Sequence, residues 1–132
     1  MSPNSPTLKL AGKLGWIPMS INLTPPVLLH THWDAVEEGA RDAGKTADRS
    51  LWRVAREVFI ADSTAEARKM VRDGVIGRDF NQYFLRSLAK SGMLRVMKTD
   101  PDMPDSDVTV DYLIDNVFVV GSVEEVTQKL ND

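Results

Sequence analysis

RSLWRVAREVFIADSTAEARKMVRDG, residues 49–74, decides the fold class of this chain. From Leu51 to Ala61 the even positions Trp52, Val54, Val58 and Ile60 alternate with Ala55, Phe59 and Ala61. Both faces are largely apolar, which predicts one strand over Leu51–Ala61, covered on both sides. Ser63-Thr64-Ala65-Glu66 is a capping box, so the spacing predicts a helix from Thr64 to about Asp73. A strand running straight into a helix is the βα half of a βαβ unit. Such junctions are where α/β folds hold ligands.

The pattern continues in both directions. Toward the N-terminus, KTADRS connects this strand to a helix over about Leu29–Ala43, with Trp33, Val36, Ala40 and Ala43 at helical spacing and Gly44 as its stop. Before it, Trp16–Leu23 reads as a strand weakened by Pro18, which places it near an edge. A short helix over Pro6–Leu14 carries Leu8, Leu10, Ala11 and Leu14, with Gly15 as its C′ residue and the turn-forming MSPNSPT ahead of it. Toward the C-terminus, Phe80–Ser91 is amphipathic, TDPDMPDSD (99–107) is an acidic, turn-rich insertion expected to be mobile, and residues 108–116 read as helical. The apolar FVVG then leads to a second capping box, Ser122-Val123-Glu124-Glu125, and a last helix. Two clear parallel strands against five or six helices are too few to make a covered sheet. The chain therefore reads as part of an α/β architecture.

Composition narrows the function classes. At 132 residues the chain is at most one domain, organised as a helix-strand-helix-strand unit over 6–62 and a mostly helical 63–132. Its net charge of −3, without a basic run, gives no footprint for nucleic acid. No stretch of 18 apolar residues predicts a membrane span, and no signal peptide opens the chain, so a cytoplasmic location is expected. With no cysteine, thiolate chemistry and cysteine metal sites are excluded.

The blocks NSPTLKLAGKLGWIPMS, HWDAVEEGARDAGKTADRSLWRVAREVFIADSTAEAR and DYLIDNVFVVGSVEEVTQKL, in this order and spacing, resemble the bacterial luciferase-like flavin-dependent monooxygenases, and among them the limonene monooxygenase-like group. The resemblance covers about residues 4–130. It implies a partial (β/α)₈ TIM barrel, beginning after the fifth strand and supplying the sixth and seventh with their helices. It also implies reduced FMN as cofactor and no metal. In the complete enzyme a flavin peroxide oxygenates a small organic substrate, with a flavin reductase as partner. A chain with so little of the pocket is expected to be inactive alone. The alternative is a non-catalytic remnant or association module that pairs with itself, as a homo-oligomer, or with a chain carrying the rest of the barrel. A small α/β binding domain unrelated to flavin is a third reading.

By the same resemblance, Asn4, Ser5 and Thr7 hold the flavin phosphate; a helix N-terminus favours an anion on physical grounds too. They read also as a plain N-cap. Ser20 and Asn22, at the carboxyl end of the first strand, line the flavin ring pocket or simply lead into a loop. No catalytic residue is singled out. His30 and His32 lack further ligands at zinc spacing and read as a surface loop and helix start. Arg53, Arg56 and Glu57 are paired interior charges or a solvated rim. Trp16, Trp33 and Trp52 read as core anchors. The acidic run lacks the spacing and glycine of a calcium loop.

Overall fold

The structure is a computed structural model that describes residues 4–131; the turn reading at residues 1–3 and the chain end at residue 132 lie outside them. It divides into two compact units, one ending at Ala55 and the other starting at Arg56.

In the first unit, helix α1 (Pro6–Leu14) starts on proline and stops at Gly15, whose φ of 76° is left-handed, as a C′ glycine requires. The chain turns into β1 (Met19–Ser20), then passes through a 3₁₀ turn into α2 (Leu29–Asp42) and on to β2 (Arg53–Val54). β1 and β2 pair in parallel, Met19 opposite Arg53 and Ser20 opposite Val54, so β1-α2-β2 is a βαβ unit. The buried stripe of α2 holds His32, Trp33, Ala35, Val36, Gly39 and Ala40. Against it lie Leu8, Ala11 and Gly12 of α1, with Ala47 and Trp52 packed on the same core. The two helices touch backbone to backbone. A Cβ on Gly39 would stand 1.8 Å from the Lys9 carbonyl oxygen, and one on Gly12 would stand 2.0 Å from that of Val36. No other residue type fits either place.

The second unit holds β3 (Val58–Ile60), α3 (Thr64–Asp73), α4 (Val75–Asp79), a π-helical turn (Phe80–Phe84), α5 (Leu85–Lys90), α6 (Val110–Asn116), β4 (Val119–Gly121) and α7 (Val123–Asn131). β3 and β4 pair in parallel, Val58 with Val119 through Ile60 with Gly121. β4 is buried throughout, and Ala67 and Val71 of α3, Leu113 and Ile114 of α6 and Val126 of α7 are buried too. The π-helical turn aims Phe80 inward, edge-on to Phe118 with centroids 4.8 Å apart. Both N-cap serines cap their helices as spaced: Ser63 Oγ accepts the Glu66 N–H at 3.2 Å, and Ser122 Oγ accepts that of Glu125 at 3.3 Å, while the Ser122 N–H turns to Thr64 rather than to the Glu125 side chain.

The strand reading and one core anchor change. The strand over Leu51–Ala61 is two short strands, because its first half takes β1 as partner and its second half β4; Ala55–Glu57 lie between the two ladders. The two clear strands are thus three short ones, and the FVVG run supplies a fourth, β4, so that the described residues hold two parallel pairs. The acidic 99–107 stretch makes contacts at two points. The nearly buried Lys98 meets Asp105 at 2.6 Å, and the Tyr112 hydroxyl accepts the Thr99 N–H at 2.8 Å while donating to the Met97 carbonyl at 3.1 Å. Trp16 is no core anchor in this chain, being 62% exposed, whereas Trp33 is buried and Trp52 half-buried.

Candidate functional site

The candidate residues of the first unit sit on two neighbouring elements. α1 runs through a tight turn into β1, so the start of α1 and the carboxyl end of β1 lie toward the same end, the ligand-holding end of a βα layout. At the start of α1, Asn4 has a left-handed φ of 52°. Ser5 is the N-cap and is 97% buried by its 3% relative exposure, yet its side chain makes no capping hydrogen bond. Thr7 is exposed on the first turn. Lys9 pairs with Glu38 at 2.6 Å and Asp42 at 3.1 Å, and the Glu38 carboxylate, then Asp42, hold its ammonium above the usual lysine range. Its charge is thus already engaged.

At the end of β1, Ser20 is fully buried. Its Oγ accepts the Trp52 Nε1–H at 3.0 Å and lies 2.9 Å from His32 Nδ1. An indole N–H only donates, so it takes one of the two hydroxyl lone pairs. The imidazole takes either the hydroxyl proton or the second lone pair. At most one bonding position of Ser20 is left. Asn22 is half-buried on the loop that follows. Above this network the Arg49 guanidinium lies 5.6 Å from the Trp33 ring centre and 5.5 Å from that of Trp52, with the two rings 5.8 Å apart.

His32 departs from the surface reading, for it is fully buried on α2. The signal was its place on the stripe that carries Trp33, Val36 and Ala40; a polar residue there needs a polar partner from another element, and Ser20 supplies it. His30 does remain exposed, its Nδ1 donating to the Val27 carbonyl at 2.9 Å. Among the described residues no group of three or more His, Asp and Glu is placed to hold a metal. No helix among them is long and apolar enough to cross a membrane. Arg53 is exposed, with Nη1 2.9 Å from the Ser50 carbonyl. Arg56 and Glu57 are half-buried; burial lowers the Arg56 pKa, and the Glu57 charge opposes this.

In the second unit, the carboxyl ends of β3 and β4 are joined by groups the sequence reading did not single out. Thr64 Oγ1 donates to the Glu125 carboxylate and accepts the Ser122 N–H at 3.1 Å. Lys129 Nζ meets Glu125 at 2.6 Å and the Val120 carbonyl at 2.9 Å. The Lys129 ammonium, then the Thr64 hydroxyl, hold the Glu125 carboxyl below its usual range. Each capping box was legible; the bond between Thr64 and Glu125, 61 residues apart, was not.

Parallel βαβ pairing with polar groups gathered where strands end is the layout of a (β/α)₈-barrel segment. No family model matches the chain. Its relatives are specific, however. The 3,6-diketocamphane 1,6-monooxygenase of Pseudomonas putida is 38% identical over 98% of this chain and 34% of its own length. The limonene 1,2-monooxygenase of Rhodococcus erythropolis is 32% identical over 94% of this chain and 30% of its own. The solved structure of the oxygenating constituent of 3,6-diketocamphane monooxygenase from Pseudomonas putida, a type II Baeyer–Villiger monooxygenase in complex with FMN, matches with a TM-score of 0.83 at 38% identity, over 98% of this chain and 36% of that one. The homologues of the chain are luciferase-like flavin-dependent monooxygenases, and it spans about a third of the length of the curated relatives it matches.

Proposed function

We propose that the chain is the phosphate-holding segment of an FMN-dependent monooxygenase acting on a small organic substrate. The observation that carries this reading is Ser5: a buried hydroxyl, uncommitted to its own helix, at the N-terminus of α1. It occurs in a chain whose structural relative is bound to FMN. The residues fit that group. Ser5 and Thr7 offer hydroxyl donors, the first N–H groups of α1 offer more, and the helix dipole favours the phosphate charge. Asn4 leads the chain into this turn, and Asn22, on the loop after β1, would meet the polar edge of the flavin ring. Ser20, through His32 and Trp52, keeps the end of β1 in place beneath it. Reduced FMN, when bound, supplies the oxygen chemistry that these side chains cannot.

On this reading the rest of the barrel shapes the substrate pocket, and the segment alone is inactive. A flavin reductase is the expected partner, association with itself or with a complementing chain is expected, and the location is cytoplasmic.

Titrating FMN and riboflavin separately with the chain, by flavin fluorescence, tests the reading. FMN is expected to bind more tightly, because riboflavin lacks the phosphate. Ser5→Ala or Thr7→Ala should weaken FMN by roughly ten-fold, the worth of one hydrogen bond to a charged group, and leave riboflavin unchanged. Equal losses for both flavins would sink the phosphate assignment.

A further inference from the structure

A histidine buried on an apolar helix face has its ring protons fixed by the groups around it. His32 is such a residue, fully buried on the α2 stripe that also holds Trp33, Val36 and Ala40. Its Nδ1 lies 2.9 Å from Ser20 Oγ, and the same oxygen accepts the Trp52 Nε1–H at 3.0 Å. Among the described residues these are the two hydrogen-bond partners of the Ser20 hydroxyl. Counting donors then places the protons. The indole only donates, so it takes one lone pair of Oγ. The hydroxyl keeps a proton of its own, and Nδ1 is the acceptor it meets. Hydrogen on Nδ1, in the other tautomer or in the imidazolium, would aim two donors at Oγ and strand the hydroxyl proton in the interior. With Nδ1 bare, the bonds run in one direction, from indole to hydroxyl to imidazole, and both are made.

We infer that His32 is a positioning residue for the ligand end of β1, held neutral with its hydrogen on Nε2 so that the bare Nδ1 fixes Ser20 and, through it, the loop that carries Asn22. The lever is short. Ser20 is the last residue of β1, and its backbone carbonyl accepts the Ala55 N–H at 2.9 Å, just past β2. Its side chain is bonded to α2, so Ser20 is gripped from two sides, and Asn22 follows two residues on. His32 acts here by position and not by chemistry, since it works through Ser20. Packing alone would need only the volume of the ring, which leucine supplies. Positioning needs an acceptor at the δ position, which the side-chain oxygen of asparagine supplies. The link to FMN rests on the proposal that the flavin edge meets Asn22; the proton placement and the hold on the loop do not.

The test is heteronuclear NMR of the histidine ring nitrogens in the full chain, joined to FMN titration of His32→Asn and His32→Leu. In the parent chain at neutral pH, His32 should show a bare Nδ1 and a hydrogen on Nε2. The Trp52 indole and Asn22 amide signals should keep their places in His32→Asn and move in His32→Leu. FMN affinity should stay near that of the parent chain in His32→Asn and fall about ten-fold in His32→Leu, the order of one unmade buried hydrogen bond. Circular dichroism checks that both variants fold, and the ring-nitrogen measurement needs no substitution at all. Hydrogen on Nδ1 would overturn the inference. So would Asn22 signals that stay in place in His32→Leu, or an asparagine variant as disturbed as the leucine one. FMN separates the two proposals: a parent chain that binds no FMN sinks the flavin reading alone, whereas the NMR outcomes decide this one.

Discussion

The two parallel strand pairs solve one problem with opposite means. In both, the chain leaving a strand must be fixed to its neighbour. The β1–β2 pair does it with a buried hydrogen-bonded knot, the Ser20 hydroxyl between the Trp52 indole and the His32 imidazole. The β3–β4 pair does it with a more open, charged knot, Thr64 and Lys129 on the Glu125 carboxylate. The difference teaches what each tie is worth. A buried hydrogen bond is most costly when one partner is removed, since the other is stranded away from water. An exposed ion pair is screened and contributes little. The first pair should therefore be sensitive to packing and hydrogen bonding, the second to pH and salt.

The largest effect should come from the helix contact that supports the first pair. Gly39→Ala places a methyl group on the Lys9 carbonyl, and α1 must move off α2. A loss of about 3 kcal/mol is expected in urea unfolding, at the upper end for an overpacked core. A loss under about 1 kcal/mol would mean that the two helices slide apart easily, and the rigid support for the Ser5 turn would go with it.

Next comes Ser20→Ala, which removes the acceptor of the indole N–H and the hydrogen-bond partner of His32 Nδ1. It should cost about 2 kcal/mol, and the Trp52 indole proton should shift in NMR spectra. Thr64→Val, its counterpart in the second unit, should cost about 1 kcal/mol, since the Ser122 N–H and Glu125 keep access to water or Lys129. Equal losses for the two variants would erase the contrast.

The smallest effect, and the sharpest probe of it, is pH. The Glu125 carboxyl is held low by Lys129 and Thr64 in the fold. A depressed pKa contributes stability above the unfolded carboxylate pKa, and that contribution is lost as pH falls through the folded value. A carboxyl titration by NMR should find Glu125 below the ordinary glutamate range, and Thr64→Val should move it upward. An unmoved midpoint would assign the whole shift to Lys129.

Much of this was legible from local rules. Ser63 and Ser122 announced their helices because a cap and the residue three places on are bonded within one turn. Gly15 marked the end of α1, since the left-handed turn there suits glycine. The split of the strand near Arg56 was not legible, because it depends on which neighbours the two halves pair with. Trp16 and His32 each defeated residue-type expectation, one apolar and exposed, the other polar and buried.

The sequence by itself determined the helices, their caps, the β-then-α order and the family likeness. These depend on periodicity and on groups a few residues apart, which bond or pack whatever lies beyond. Only the tertiary structure decided that Ser20 faces α2 through His32 and Trp52, and that Thr64 holds Glu125 across the two junctions. A side chain's partner in space is set by how distant segments pair, and strand pairing leaves no mark on either strand alone.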